Sequence, residues 1–365
     1  MAGSLIDRVE LFPVRLPYAR AMNWASTRES GADFMILRLT TSEGLIGVSE
    51  GVVKTAWTGA TLRSLAVCFE EIFTRMLIGL DPEDFGGTKK ISRIRENNLA
   101  KAMIDVALWD LRSQLSRRPL WRMWNGRPEI DMSWCVTRQA PIEMAREAEA
   151  ALADHGFRTL KLKGGQGLDV DEAALQAVRR AVGDDIFIYV DANRAYSVSE
   201  TARYVSMLSD YGVGFAEDPC RLTPGVAFGE IQRQCPLPLL VDGDCRNIES
   251  MRMFVESGAQ AFNLKIQKAQ GYTENWELVN HAREHGLQTN IGLFGESSLG
   301  AHVALQLASA LPPGSLPAEV SGHLLFQEEF VKTPVKIKNG VTVLPDQPGF
   351  AQLVDWEKVE YLRPA

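Results

Sequence analysis

A near-regular spacing of charged residues constrains the fold of this 365-residue chain more than any other feature of its sequence. Short apolar runs end in charged residues that follow one another at steps of 28, 26, 25 and 23 positions. Each step has the length of one strand, one helix and two short loops, which predicts successive βα units of a parallel barrel. The strand ends of such a barrel meet at one face, so these side chains would share a pocket. They are Lys163, Asp191, Glu217, Asp242 and Lys265.

The order of predicted elements divides the chain into a smaller domain and a barrel. Strand-like segments at 5–17 and 33–41 precede an apolar helical stripe at 99–117 without strand-helix alternation, which predicts an α+β domain. A barrel needs roughly 250 residues, and the total length leaves roughly 100 for this first domain. The Asn339-Gly340 pair predicts a hairpin after the alternation stops. We predict three segments: the α+β domain at 1–126, the barrel at 127–325 and a C-terminal segment at 326–365 that returns to the first domain.

Composition and charge favour a small-molecule partner. The net charge is −7, the pI is near 5.5 and no basic cluster occurs, so neither nucleic acid nor an anionic membrane is expected as a partner. The five cysteines form no CxxC pair, which is typical of reduced thiols. Neither an export signal nor an apolar run of membrane-spanning length is visible, so we expect a cytoplasmic protein. We also expect it to form a homo-oligomer.

Three of the strand-end residues are carboxylates, which are hard oxygen ligands. Asp191, Glu217 and Asp242 have no His or Cys in register, so they predict a Mg²⁺ or Mn²⁺ site rather than a zinc site. Asp244 is the alternative to Asp242 as the third ligand. A metal-free alternative is that each carboxylate caps the following helix or pairs with a surface lysine.

Lysines flank these carboxylates on both sides. Lys161 and Lys163 project to the same side of one strand, and Lys265 comes from a strand across the barrel. A lysine buried beside another cation or a metal has its charged form disfavoured, so its pKa falls and it can act as a base. A substrate on the metal would then have a lysine on each face. The alternative is that the lysines only form salt bridges at the barrel rim.

Two segments of the first domain are candidates for substrate selection. The stretch from Tyr18 to Gly31 is polar, rich in small residues and too long for a tight turn, which predicts a long functional loop around Trp24. A second loop, Val53 to Gly59, carries Lys54 and Trp57. The two tryptophans predict either an aromatic wall with a cation–π site for an ammonium group or simple packing anchors.

The chain resembles the enolase superfamily in its muconate-lactonising subgroup over nearly its whole length. The resemblance rests on IDVALWDL in the first domain and on a series of strand-end motifs: KLK, DAN, EDP, VDG, NLK, Glu296 and AEV. It departs from the usual pattern at Asp242-Gly243, where the subgroup has Asp-Glu, and at Trp124-Asn125-Gly126, where a Leu-Leu-Gly-Gly-like turn is usual. A seventh-strand His, typical of the mandelate racemase type, is absent from LQTNIGL.

The resemblance implies a modified (β/α)7β TIM barrel with an α+β capping domain. It implies Mg²⁺ on Asp191, Glu217 and Asp242, Lys163 and Lys265 as the acid/base pair, and Lys161 lowering the pKa of Lys163. Substrate contacts are then expected from the two capping-domain loops and from the barrel rim; the residues are Trp24, Lys54, Trp57, Asn193, Glu296 and Glu319.

The reaction shared by such enzymes is removal of a proton α to a carboxylate, giving an enediolate. Two opposed lysines favour a racemase or epimerase acting on an amino-acid derivative or related carboxylic acid. A syn-dehydratase or cycloisomerase is the alternative within the superfamily, and a non-catalytic barrel is the alternative outside enzymes.

Overall fold

The first domain opens with a three-stranded antiparallel sheet in a computed structural model that describes residues 4–24 and 27–364. Its strands are β1 (Ile6–Asn23), β2 (Arg28–Thr41) and β3 (Ile46–Val53), in the order β1-β2-β3. Residues 42–45 connect β2 to β3. Gly44 has a φ of 83°, a conformation that glycine adopts without steric cost.

The predicted long loop from Tyr18 to Gly31 is wrong in its extent. Strand pairing continues through most of it, to Asn23 opposite Arg28, and residues 25 and 26 lie outside the described residues. The register shifts between Pro17 and Met22, so β1 carries extra residues that bulge out of the ladder. Polar and small residues suggested a loop, but on an edge strand with a bulge they remain compatible with pairing.

Helices follow the sheet and pack on it. The predicted helix over 99–117 is present as α5 (Asn98–Ser116), and its buried side chains pack on β3. Residues 62–77 are also helical, with a π-helical turn at Phe69–Phe73 in the middle. The helices of this part are α1 (Thr55–Thr58), α2 (Leu62–Cys68), α3 (Thr74–Leu77), α4 (Phe85–Ser92), α5 (Asn98–Ser116) and α6 (Leu120–Met123).

The rest of the chain alternates strand and helix, as the spacing predicts. After β4 (Glu129–Asp131), a seven-stranded parallel sheet runs in sequence order. Its strands are β5 (Trp134–Val136), β6 (Thr159–Lys163), β7 (Phe187–Asp191), β8 (Ala216–Glu217), β9 (Leu239–Val241), β10 (Ala261–Leu264) and β11 (Gln288–Ile291). The helices that alternate with them are α7 (Pro141–His155), α8 (Leu168–Val182), α9 (Val198–Asp210), α10 (Val226–Gln234), α11 (Ile248–Glu256), α12 (Tyr272–His285) and α13 (Ser298–Ala308).

The predicted eighth strand is not a regular strand. Residues 316–319 instead close the barrel through separate backbone hydrogen bonds: Glu319 N donates to Ile291 O at 2.8 Å, and Ala318 N donates to Asp131 O at 2.8 Å. Pro317 has no N–H to donate, which interrupts the ladder that a strand needs. Closure on both sides nevertheless completes the expected (β/α)7β architecture.

The C-terminal segment contacts both parts of the chain. Asn339 and Gly340 have φ values of 54° and 73°, as the predicted hairpin requires, and the following β12 (Val341–Val343) pairs with β4. Further on, α14 (Trp356–Tyr361) packs against β1, where Arg15 N donates to Leu362 O at 2.9 Å. The three predicted domain ranges stay a prediction. Among the described residues, no helix is long and apolar enough to cross a membrane.

Candidate active site

The strand-end charged residues meet at one end of the barrel. Lys163, Asp191 and Glu217 close β6, β7 and β8 and lie side by side in register, because adjacent parallel strands place Lys163 opposite Asp191 and Asp191 opposite Glu217. Asp242 and Lys265 directly follow β9 and β10. The alternation of strand and helix thus brings together the five residues whose spacing predicted the fold.

Lys161 is the buried centre of this cluster. Its side chain is 1% exposed, and its Nζ lies 3.0 Å from Asp191 Oδ2, 2.9 Å from Glu217 Oε2 and 3.0 Å from Glu319 Oε2. Burial would lower the pKa of Lys161, but Asp191, Glu217 and Glu319 outweigh it and hold the pKa well above its usual value. Lys161 therefore forms a buried ion pair with each of the three carboxylates.

Lys163 and Lys265 contact different carboxylates. Lys163 Nζ donates to Asp191 Oδ2 at 2.7 Å, and Lys265 Nζ donates to Asp242 Oδ2 at 2.5 Å. Both lysines line one cavity of about 760 Å³. Burial would lower the pKa of Lys265, but the Asp242 carboxylate raises it above its usual value. The sequence analysis predicts a lowered pKa for a lysine that acts as a base, so the raised pKa of Lys265 is opposite to that prediction. Asp242, whose carboxylate raises this pKa, is a predicted metal ligand.

Lys268 is a site residue that the sequence analysis missed. Its Nζ donates to Asp242 Oδ1 at 2.8 Å, to the main-chain oxygen of Asp242 at 2.6 Å and to Asn263 O at 2.7 Å. Asp242 is therefore fixed between two ammonium groups, which together hold its pKa well below the usual value despite its burial. The available signal was the position of Lys268 three residues after Lys265, at the same strand end.

Asp242 and Asp244, the alternative ligands, have different surroundings. Asp242 lines the same cavity as Lys163 and Lys265. Asp244 instead forms an ion pair with Arg194, whose Nη2 lies 3.1 Å from Asp244 Oδ2. Gly243 makes room for this arginine, since a Cβ there would stand 2.0 Å from the Arg194 Nη2. The departure from Asp-Glu at this position thus admits a guanidinium group to the barrel mouth.

The three predicted ligands supply suitable donors for a hard cation. All three carboxylates are buried, and Glu217 Oε2, although 2.9 Å from Lys161 Nζ, accepts no well-aligned hydrogen bond in the described chain. Burial and the neighbouring Asp191 raise the pKa of Glu217 to about 8 despite the attraction of Lys161. Within the described residues the three do not bring one oxygen each within 4.8 Å of one another, and lysines contact each of them instead. The donor set fits a divalent cation that replaces part of this lysine contact.

The predicted substrate contacts fall into two groups. Trp24, Trp57 and Asn193 line the same cavity as the lysines. The other three are buried behind its lining. Glu319 contacts Lys161, the backbone N–H of Phe294 donates to Glu296, and Lys54 lies behind the tryptophans. Their predicted contacts with substrate stay predictions.

Lys54 occupies the aromatic site that a substrate ammonium group would need. Its Nζ lies 4.2 Å from the Trp24 ring centroid and 4.7 Å from that of Trp57, and it donates to Glu29 Oε2 at 2.8 Å. Tyr18 Oη accepts a further hydrogen bond at 3.3 Å. The two tryptophans therefore form a wall of the cavity and contact an internal cation. Their role toward a substrate ammonium group stays a prediction.

Known protein families match both parts of the chain. Residues 8–124 match the mandelate racemase / muconate lactonizing enzyme N-terminal domain, and residues 143–358 match the enolase C-terminal domain-like family. The N-succinyl-L-Arg/Lys racemase of Bacillus cereus is 27% identical over 358 residues, covering 93% of this chain and 96% of the racemase. Muconate cycloisomerase 1 of Rhodococcus opacus is 26% identical over 372 residues, covering 99% of each.

A solved structure gives a similar result. The dipeptide epimerase of Enterococcus faecalis V583, complexed with Mg and the dipeptide L-Leu-L-Tyr, superposes with a TM-score of 0.87 at 25% identity. The match covers 95% of this chain and 99% of the epimerase.

Proposed function

We propose that this chain, which belongs to the mandelate racemase / muconate lactonizing enzyme family of the enolase superfamily, is a racemase or epimerase. It removes the proton α to the carboxylate of a small carboxylic acid and delivers a proton to the opposite face of the same carbon. Its relatives include a racemase, an epimerase and a cycloisomerase, all of them isomerases.

The observation that carries the proposal is the placement of Lys163 and Lys265. Both line the same cavity, they come from β6 and β10, and each is hydrogen-bonded to a different carboxylate. Strands four positions apart in a barrel of eight positions lie across from each other. An α-carbon between the two amines can therefore lose a proton to one and receive a proton from the other.

We propose that Asp191, Glu217 and Asp242 hold Mg²⁺, with Mn²⁺ as a substitute. Such a cation, when bound, stabilises the negative charge that develops on the substrate carboxylate as the α-proton leaves. Lys161 orients two of these ligands through its contacts with Asp191 and Glu217. Lys268 orients the third by binding both the side chain and the main chain of Asp242.

The cavity favours an anionic substrate. Of the charged residues that line it, five are cationic and three are acidic. The cationic residues are Lys163, Arg194, Arg246, Lys265 and Lys268, and the acidic residues are Glu96, Asp218 and Asp242. An N-acylated amino acid or a similar small carboxylate fits this balance, because its nitrogen carries no charge and the aromatic cation site is already filled by Lys54.

A cycloisomerase of a dicarboxylate is the second candidate. The cationic excess of the lining favours a substrate with two carboxylates, and the Rhodococcus opacus relative is a muconate cycloisomerase. In that case one lysine acts in proton transfer and the other serves only electrostatically.

The two candidates are separated by a substrate screen in D₂O. The protein with Mg²⁺ is incubated with both enantiomers of N-acylated amino acids, with dipeptides and with muconate, and ¹H NMR follows loss of the α-proton signal. Racemase activity gives exchange together with loss of optical rotation. Turnover of muconate alone, without α-proton exchange in any amino-acid derivative, contradicts the racemase proposal and supports the cycloisomerase.

The metal is tested in the same assay. EDTA abolishes turnover and Mg²⁺ restores it. The Glu217→Gln variant binds Mg²⁺ more weakly in calorimetry, since a neutral amide replaces a carboxylate ligand. Full activity and unchanged Mg²⁺ affinity of this variant contradict the assignment of Glu217.

A further inference from the structure

The last turn of α12 carries a cluster of side chains outside the cavity. His281, Glu284 and His285 stand at helical positions i, i+3 and i+4, which places them on one face. One ring nitrogen from each imidazole and one carboxylate oxygen lie within 4.8 Å of one another. Within the described part of the chain, no other group of three or more His, Cys, Asp or Glu side chains meets this spacing.

The donor set suits a borderline transition cation. Two imidazoles and one carboxylate are the ligands of Zn²⁺, Ni²⁺ or Cu²⁺ sites, whereas Mg²⁺ and Ca²⁺ prefer oxygen ligands throughout. The Nδ1 of His285 lies 3.0 Å from the main-chain oxygen of His281. An Nδ1–H that donates to this carbonyl fixes the ring and leaves Nε2 to bind a metal, which is how metal-binding histidines are usually held.

The local surroundings of the cluster add three further observations. The Nε2 of His281 is shielded from solvent and has no hydrogen-bond partner, so a polar atom there is left unsatisfied. The cluster also lies at the carboxyl end of a helix of 14 residues, directly before its cap at Gly286. The negative end of the helix dipole favours a cation at this position. Burial, His285 and Arg252 of α11 lower the pKa of His281, whereas the Glu284 carboxylate raises it.

We propose that His281, Glu284 and His285 bind one divalent transition cation, with Zn²⁺ as the principal candidate and water completing the coordination. The site is separate from the catalytic cavity. It precedes the start of β11, whereas the cavity lies at the other ends of the strands. Its role is structural, because a metal bound to three residues within one turn prevents the end of α12 from fraying.

The test uses untagged full-length protein with Mg²⁺ in large excess, so that the carboxylates of the cavity are occupied. Calorimetric titration with Zn²⁺ gives one binding event per chain. The His285→Gln variant, which alters an exposed side chain, binds Zn²⁺ at least about tenfold more weakly, since even groups that only orient metal ligands contribute about 10–100-fold to affinity. Glu284→Gln weakens binding in the same direction. His155→Gln, on α7, is the matched control and leaves Zn²⁺ affinity unchanged.

Two further readouts do not depend on catalysis. With Cu²⁺ as the probe, electron paramagnetic resonance gives hyperfine splitting from two nitrogens in the parent protein and from one in His285→Gln. Zn²⁺ raises the melting temperature of the parent protein and not that of the variant, because only a folded state with the site gains binding energy. Identical Zn²⁺ isotherms for the parent protein and His285→Gln, or no Zn²⁺ binding by the parent protein, overturn the proposal.

Discussion

Lys163 and Lys265 can be tested separately because each contacts its own carboxylate. In the Lys163→Ala enzyme, Lys265 still removes and returns the proton on its own face of the α-carbon, and the converse holds for Lys265→Ala. Neither variant racemises. Each exchanges the α-proton of one enantiomer with D₂O, and the two variants exchange opposite enantiomers. NMR of both enantiomers with each variant measures this.

The exchange pattern of the two lysine variants decides between a two-base racemase and a cycloisomerase. Lys336→Ala, which changes an exposed lysine of the C-terminal segment, is the control and retains both exchange and racemisation. Interconversion of enantiomers by Lys265→Ala excludes a two-base racemase. Exchange supported by Lys163 alone leads to the same conclusion and favours the cycloisomerase.

The third metal ligand gives a second prediction at the residue scale. Asp242 lines the cavity between Lys265 and Lys268, while Asp244 is paired with Arg194. We therefore expect Asp242→Asn to reduce Mg²⁺ affinity far more than Asp244→Asn, as calorimetry with Mg²⁺ measures. A larger loss in Asp244→Asn assigns the ligand to Asp244, and equal losses in the two variants contradict the preference for Asp242.

Single residues differ in how well the sequence predicts their position. Lys163, Asp191 and Glu217 end parallel strands, and adjacent strand ends must meet, so their convergence follows from the spacing alone. Lys268 and Arg194 come from loops beyond the strand ends, where no period fixes the direction of a side chain. The filling of the aromatic site by Lys54 depends on a contact between two separate loops, which sequence spacing does not encode.

At the scale of elements, the side-chain pattern of the sequence predicted helices better than it predicted backbone pairing at the edges of sheets. The spacing of the sequence predicted the alternation of helices with strands, and some helix ends carry recognisable caps, such as Gly156 after α7. The two errors concern backbone pairing. β1 continues through a polar bulge, and residues 316–319 close the barrel without a regular ladder because of Pro317. Hydrogen bonding at sheet edges leaves little trace in side-chain patterns.

The junction between β3 and α13 predicts a pH dependence of stability. Glu50 of β3 accepts hydrogen bonds from the backbone and hydroxyl of Ser297, the N-cap of α13. Gly300 permits this approach, since a Cβ there would stand 2.5 Å from Glu50 Oε1. Burial raises the pKa of Glu50 from 4.5 to about 8, although the Ser297 hydrogen bonds lower it.

The direction in which stability changes with pH follows from the raised pKa of Glu50. Below pH 4.5 the carboxyl group is protonated in both states, and its contribution to stability is fully present. As the pH rises from there to about 8, the unfolded chain releases the proton while the folded protein retains it. The free energy of unfolding of the parent protein therefore falls by about 1.4 kcal/mol per pH unit in that window relative to Glu50→Gln.

Urea unfolding of the parent protein and Glu50→Gln across this pH range measures the difference. Comparing the two proteins cancels most of the contribution of the other buried acids, such as Asp110 and Glu329. The exposed Glu43 supplies the control, and Glu43→Gln leaves the pH profile unchanged. A difference between the parent protein and Glu50→Gln that is constant with pH means that Glu50 is already ionised in the folded state.

At the scale of the whole molecule, the first domain is fixed to the barrel by direct polar contacts. Val52 N donates to Gln267 Oε1 at 2.9 Å, and Trp109 Nε1 donates to Thr273 Oγ1 at 2.9 Å. Asp105 of α5 in turn accepts from the Thr273 backbone at 2.9 Å. Lys163 and Lys265, the proposed catalytic lysines, thus belong to the barrel, and the attached first domain supplies the tryptophan wall. The proposed function therefore assigns chemistry to the barrel and substrate selection to the first domain.

Lys54 is the residue through which this separation can be tested. In Lys54→Met, the cation–π contacts with Trp24 and Trp57 are lost and Glu29 is left without its ion pair. Each such contact contributes about 0.5–2 kcal/mol, so the wall is held less firmly and KM rises by roughly 2- to 30-fold. The rise differs between substrates, because each contacts the wall differently.

The steady-state parameters of Lys54→Met across the substrate panel provide the measurement. We expect kcat and Mg²⁺ affinity to stay close to those of the parent enzyme, since Lys163, Lys265 and the three carboxylates belong to the barrel. Lys336→Met is the matched control and changes neither KM nor kcat. A variant in which KM is unchanged for every substrate contradicts a role of the wall in selection. A variant in which kcat falls with unchanged KM places Lys54 in the chemical step, because loss of an interaction made only in the transition state lowers kcat.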